Sequence, residues 1–335
     1  MPQHPHHGGD LAFATARHGR PQAGWLDLST GINPNPYPSP AIDTAALARL
    51  PDRGALAGLL DAARAAYGVP ASVPLAATPG SEIAIRLLPL IAPPGKVTIL
   101  GPTYGSHGEA WRAAGRSVAD VASPDAVPPD TLIVVLANPN NPDGRILAPD
   151  ALARLAKRLA ASGGLLVVDE AFADVAPEAS LAPFLGDTPA LVLRSLGKFY
   201  GLAGLRLGFV AGPAGLVERL TGLLGDWPVS GLALSIGRTA LSDGGWRDGT
   251  RIALKAGSAA LRDTLIRQGL AIAGGTDLFT LVADGEARRI HQGLAERGIW
   301  TRSFDFAPNW LRLGLPPDAA GLARLDQALT SLAER

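Results

Sequence analysis

Across the middle of the chain, short runs of β-branched and aliphatic residues alternate with longer segments whose apolar positions recur every three or four residues. The runs Val97 to Leu100, Thr131 to Ala137, Leu165 to Val168, Leu191 to Leu193 and Leu207 to Val210 read as buried strands. The segments Ser81 to Ile91, Gly108 to Ala114 and Pro149 to Ala161 read as amphipathic helices. In the last of them Leu152, Leu155 and Leu159 form an apolar stripe behind a Pro-Asp start. Strand, helix and strand in repetition predict an α/β fold whose mostly parallel central sheet is covered by helices on both faces. In such sheets, chemistry gathers at the carboxyl ends of the strands.

The pattern changes after Pro228. A long Ala- and Leu-rich helical region runs from Leu232 to Gln268, interrupted around Gly244-Gly245. Two strand candidates follow, Leu278 to Ala283 and Trp310 to Leu315, with helices at Gly285 to Arg297 and Ala319 to Ala333. These predict a smaller α+β domain. The expected organisation is an N-terminal arm, 1–45, joining the small domain; a large domain, 46–245; and a small C-terminal domain, 246–335. No internal repeat, heptad run or long like-charge block interrupts this reading.

Composition narrows the chemistry. A chain of 335 residues that is 47% hydrophobic and 18% charged buries a core. Thirty basic against thirty acidic residues leave no net charge to attract a polyanion, so neither nucleic acid nor membrane is an expected partner. The absence of cysteine excludes thiolate nucleophiles, disulfides and iron–sulfur clusters. No apolar stretch reaches the roughly 20 residues of a membrane span. The first residues lack a basic segment followed by an apolar one, and the expected compartment is the cytoplasm. No GxGxxG follows a strand, and Gly197-Lys198 precedes Phe199 rather than Ser or Thr, so no P-loop is present. His4, His6 and His7 form a polar terminal tract, and no metal is expected.

Four lysines stand against twenty-six arginines. Lys96 enters a strand, and Lys157 and Lys255 sit on polar helix faces. Lys198 instead follows the apolar strand Leu191 to Leu193, within RSLGKFYGLAGLRLGF. Beside cations and partly desolvated, it would lose proton affinity and become a usable amine; taken alone, the segment fits a solvated or helix-closing lysine equally well. Asp169 ends the strand LLVVDEAF, where a buried carboxylate requires a partner or else caps a helix. LANPNNPDGRIL places Asn138 and Asn141 in a Pro- and Gly-rich turn after another strand. Asn141, Asp169 and Lys198 each follow a separate strand, spaced by 28 and 29 residues, and adjacent parallel strands would align them.

The combination of NPNNPDG, VVDEAF and SLGK followed by GLRLG resembles the fold-type I pyridoxal-phosphate enzymes, the aspartate aminotransferase superfamily. The resemblance covers most of the chain and implies pyridoxal 5'-phosphate as cofactor. By it, Lys198 would carry the cofactor covalently and later move the substrate's proton, and Asp169 would pair with the pyridinium nitrogen. Asn141 would bond the ring's 3-oxygen, and Tyr104 of GPTYGS would stack on the ring. Arg206 and Ser195 would hold the phosphate with the backbone of Gly80 and Ser81, which open a helix as phosphate sites commonly do.

Three further segments, HGGDLAFATARHG, DLSTGINPNPYP and WTRSFDFAPNWLRLGLP, resemble those of the L-threonine-O-3-phosphate decarboxylases of cobalamin biosynthesis, with histidinol-phosphate aminotransferases as close relatives. The resemblance implies a small phosphorylated amino-acid substrate and a homodimer. It implies substrate contacts from His7, Gly8, Gly9 and Asn33, with Arg312 on the carboxylate and Arg302 on the phosphate, where a planar guanidinium fork suits both. Asp10 stands where the decarboxylases have Asn. Leu50 precedes Pro51-Asp52 where the family commonly has a tyrosine reaching a partner's cofactor phosphate. Gly197 replaces a hydroxyl residue, and Phe172 agrees with the decarboxylase pattern. An aminotransferase is the alternative, and a catalytically weakened binding protein the third reading.

Overall fold

The computed structural model describes residues 7–38 and 44–334. Contacts divide the chain into two units, one of Met1–Asn35 with Gly249–Arg335, the other Pro36–Asp248. Residues 36–38 and 44–45 thus cluster with the larger unit rather than with the N-terminal arm.

In chain order the strands are β1 (Leu26–Asp27), β2 (Leu75–Thr78), β3 (Lys96–Leu100), β4 (Val118–Val121), β5 (Thr131–Ala137), β6 (Leu165–Asp169), β7 (Ala190–Ser195) and β8 (Gly208–Ala211). Beyond them lie β9 (Ile272–Thr276), β10 (Phe279–Ala283), β11 (Ile299–Trp300), β12 (Arg302–Phe304) and β13 (Ala307–Gly314). The larger unit holds a seven-stranded sheet in the order β2-β8-β7-β6-β5-β3-β4. Strands β4, β3, β5, β6 and β7 are mutually parallel, so Ala137 pairs with Asp169 and Asp169 with Leu193.

This fold is the expected α/β architecture, and both residue faces of its central strands are buried. Val97, Ile99, Ile133, Val135, Val167, Leu191 and Leu193 share one core with Ile85 and Leu88 of the helix Ser81–Ile91. Intervening residues such as Val134, Leu166, Val168 and Val192 are buried as well. Strands covered on both faces read as continuous apolar runs, which is why the sequence announced them.

One strand departs from parallel order. β8 runs antiparallel to both β7 and β2. The segment joining β7 to β8 contains only a short 3-10 turn, Ala203–Leu205. A parallel return is usually made through a crossover helix, and residues 196–207 form none, so β8 comes back antiparallel. The strands β2 and β4 escaped the apolar pattern, β2 because it reads LAAT and β4 because Asp120 interrupts it.

The smaller unit contains a four-stranded antiparallel sheet in the order β12-β13-β10-β9, with helices Ala287–Glu296 and Ala319–Ala333. N-terminal residues complete it: β1 pairs in parallel with β11, and Ala14 of the helix Leu11–His18 shares a core with Trp300. Among the described residues no helix is long and apolar enough to cross a membrane.

Candidate active site

Three neighbouring strands end together. The segment after β5 carries Asn141, β6 ends on Asp169, and β7 leads through Ser195 to Lys198. These side chains, with Ser81, Tyr104 and Arg206, line one cleft in the larger unit that encloses about 690 Å³, including space open to solvent. Parallel pairing of β5 with β6 and of β6 with β7 is what brings together residues far apart in sequence.

Asp169 is only 5% exposed, and both of its oxygens are engaged. Oδ1 accepts from the Ala171 amide at 3.0 Å. Oδ2 lies 2.9 Å from Nε2 of the buried His107, on the helix Gly105–Ala113. The carboxylate is therefore both a turn cap and a partner of a buried imidazole. Sequence reasoning missed His107. Its only signal was the position one helical turn beyond Tyr104.

Tyr104 precedes that helix and places its ring edge-on to His107, with centroids 6.1 Å apart. Its hydroxyl donates to Oε2 of Glu82 at 3.2 Å. Burial, with the Glu82 charge beside it, pushes the Tyr104 phenol up to about 12, so it stays protonated across the working pH range. Glu82 is a second cleft residue the sequence did not reveal; its other oxygen pairs with Arg86 at 2.8 Å.

The turn after β5 separates its asparagines by task. Asn138 is buried, its amide donating to the carbonyls of Leu147 and Ala179 and its oxygen accepting from the Leu147 amide. Asn140 accepts from the Thr103 hydroxyl and donates to the Pro102 carbonyl, joining this turn to the loop before Tyr104. Asn141 is the one that lines the cleft.

One end of the cleft suits an anion. Gly80, at φ 77°, caps the helix Ser81–Ile91 without a side-chain hydrogen bond. The guanidinium of Arg206 lies across it, so closely that a Cβ at Gly80 would sit 2.5 Å from Nη2. Arg206 is the sole non-glycine residue with positive φ among those described, at 53°. Such a backbone outlier costs of order 1–3 kcal/mol and persists where its surroundings hold it, commonly at functional sites. A Cβ at Gly208 would lie 2.6 Å from the Ser81 nitrogen, so glycine there lets β8 approach the helix start. At Gly197 a Cβ would meet Cα of Ala203 at 3.3 Å and Oγ of Ser195 at 3.4 Å, leaving little room for a larger side chain.

The residues expected to contact substrate lie in the smaller unit, and several converge on Ser29. The Ser29 hydroxyl accepts from the Gly9 amide at 2.7 Å and donates to Oδ1 of Asp27 at 2.6 Å. Nη2 of Arg312 donates to the Ser29 carbonyl at 2.8 Å. A Cβ at Gly8 would collide with that same peptide group. His7, Gly8, Ser29 and Arg302 line one crevice. Asn33 is buried and its Oδ1 accepts from the Asn35 amide. Arg302 and Arg312 stand directly opposite each other on β12 and β13. Arg312 is 6% exposed, and burial together with the Arg302 charge disfavours its cationic form, while Asp27 favours it. Asp10 caps the helix Leu11–His18 by accepting from the Phe13 amide at 2.8 Å, a task Asn or Asp performs alike.

His4 and His6 lie outside the described residues. Among the described residues no cluster of three or more His, Cys, Asp or Glu could hold a metal ion.

The family model for aminotransferase class I and II matches residues 43–329. The chain belongs to this family. Within the class I and II family it is similar to a threonine-phosphate decarboxylase from Sinorhizobium sp, 45% identical over 97% of this chain and 98% of the other. It is 44% identical to a threonine-phosphate decarboxylase from Pseudomonas aeruginosa, over 98% of each chain. A crystal structure of histidinol-phosphate aminotransferase from Sinorhizobium meliloti in complex with pyridoxal-5'-phosphate has the same fold. Its TM-score is 0.81 at 21% identity, covering 96% of this chain and 94% of that one.

Proposed function

We propose that this protein is a pyridoxal-phosphate-dependent decarboxylase that converts L-threonine O-3-phosphate to (R)-1-amino-2-propanol O-2-phosphate and carbon dioxide, supplying the aminopropanol phosphate arm of cobalamin. The observation that carries the reading is the gathering of a lysine amine, a buried carboxylate and an anion cradle in one cleft. Near-full-length similarity to threonine-phosphate decarboxylases supports it.

The residues present fit the cofactor. Arg206, Ser81, Ser195 and the uncapped helix start after Gly80 form a donor set for a phosphate monoester. Asp169, backed by His107, suits a protonated ring nitrogen, and Asn141 supplies an amide for a ring oxygen. When bound, pyridoxal phosphate supplies an electron sink for the pair released at the substrate's α-carbon.

This chain's own residues divide the remaining work. Arg312 would grip the substrate carboxylate and Arg302 the phosphate, with His7, Gly8, Gly9 and Asn33 closing around them. Two arginines opposed across a ladder repel, and a dianionic substrate relieves that repulsion. By fixing the carboxylate, Arg312 would direct bond breaking to the bond between Cα and the carboxylate carbon, whose electron pair the bound cofactor would accept as carbon dioxide leaves. The amine of Lys198 then delivers a proton to Cα. The ring of Phe172, its centroid 5.6 Å from the Lys198 nitrogen, forms an apolar wall beside that amine.

We place the enzyme in the cytoplasm as a homodimer, with Leu50 providing no hydroxyl for a partner's phosphate. Sedimentation at working concentration tests the dimer. Carbon dioxide release from L-threonine O-3-phosphate by cofactor-loaded protein tests the reaction. Keto-acid exchange with histidinol phosphate and 2-oxoglutarate, without carbon dioxide, would make it an aminotransferase instead.

A further inference from the structure

The turn that follows β6 carries Phe172, and both ends of that turn are tied to one side chain. Arg194, on β7, donates through Nη1 to Oε2 of Glu170 and through Nη2 to Oδ1 of Asp174, each at 2.9 Å. All three residues are buried. Glu170 also accepts from the Ser180 hydroxyl and the Leu181 amide, both at 2.6 Å. The guanidinium carbon lies 4.1 Å from the ring centroid of Tyr67. Burial raises the proton affinity of Glu170, and Arg194 opposes that rise.

A buried ion cluster is a weak source of stability, because desolvation offsets the attraction and well-packed apolar residues often do as well. Its placement is more telling. Glu170 directly follows Asp169 in the chain, Arg194 directly precedes Ser195, and Lys198 is four residues beyond Arg194. The Glu170 amide also donates to the Leu193 carbonyl at 2.9 Å, extending the β6–β7 ladder past Asp169. One guanidinium therefore braces the strand end bearing Asp169, the turn bearing Phe172 and the segment leading to Lys198.

We propose that Arg194 is a positioning residue whose fork, through Glu170 and Asp174, fixes Asp169 and Phe172 relative to Lys198. This rests on the reading of the cleft as a pyridoxal-phosphate site. A planar fork can hold two carboxylates at once, and a lysine ammonium cannot reproduce that geometry.

The test uses full-length wild type, Arg194→Lys, Glu170→Gln and Asp174→Asn. For each, thermal unfolding, the pyridoxal-phosphate dissociation constant, the pH midpoint of the visible absorbance of the lysine-bound cofactor, and kcat and KM for L-threonine O-3-phosphate are measured. Asp174→Asn keeps the side chain's size and the Glu170–Arg194 pair, so it decides the matter if Arg194→Lys does not fold. The expected result is a folded Asp174→Asn protein with a displaced pH midpoint and kcat down about tenfold or more, at KM within about twofold of wild type. A folded variant with the wild-type midpoint and kcat, even with a lowered melting temperature, overturns the proposal. Wild-type protein that takes up no cofactor overturns the functional reading and this proposal together. Normal uptake with unaltered variants overturns the clamp alone.

Discussion

His107 Nε2 lies 2.9 Å from Asp169 Oδ2, a contact between residues 62 positions apart that joins the helix after Tyr104 to the end of β6. With the carboxylate as acceptor, the imidazole donates, and the pair fixes the direction in which Asp169 faces the cleft. Removing one member leaves the other buried without its partner, at a cost of about 1–3 kcal/mol. His107→Ala is expected to weaken pyridoxal-phosphate binding and to lower kcat about tenfold to a hundredfold. Cofactor titration with steady-state kinetics checks this, and unchanged values for both would remove His107 from the site.

Lys198→Ala is expected to abolish the visible absorbance of the lysine-bound cofactor and carbon dioxide release together. The spectrum of the reconstituted variant is the direct check. A band that survives the substitution would show that another amine carries the cofactor.

Gly80→Ala would force a side chain into left-handed backbone and drive its Cβ toward the Arg206 guanidinium. Either the guanidinium moves or the helix start does. The expected outcome is a cofactor dissociation constant raised about tenfold, the equivalent of 1.4 kcal/mol, with the fold retained by circular dichroism.

The opposed arginines predict effects of opposite sign on stability and on binding. Arg302→Gln removes one of two like charges facing each other across β12 and β13. Thermal unfolding of the substrate-free protein should then show a gain of up to about 1 kcal/mol. KM for L-threonine O-3-phosphate should rise at least about tenfold if Arg302 makes the proposed charged bond to the substrate phosphate. A stabilised variant with unchanged KM would remove Arg302 from substrate binding.

Arg312→Lys tests the fork. A lysine ammonium reaching the same place is a point charge and cannot grip a carboxylate with two parallel bonds. The expected result is a fall in kcat/KM of at least about tenfold, with leakage into keto-acid products if the carboxylate is no longer held in place. Product analysis by carbon dioxide capture and amino-acid exchange distinguishes the two losses.

The sequence by itself determined the elements whose signal is local. Helices Ser81–Ile91 and Ala319–Ala333 and strand β5 have the bounds their patterns predicted, because periodicity and capping act over a few neighbouring residues. The motifs around Asn141, Asp169 and Lys198 were legible for a similar reason: each is a short segment at a strand end. Tertiary structure decided what depends on strand order and register. β8 turned antiparallel, its connection from β7 forming no crossover helix, and Gly-rich β9 and Ala-rich β2 became strands only by pairing with neighbours. His107 met Asp169, Glu82 met Tyr104, and Arg194 gathered Glu170 and Asp174 through burial and adjacency in space. Such contacts leave no period in the chain, since each residue's local surroundings are satisfied equally well without them.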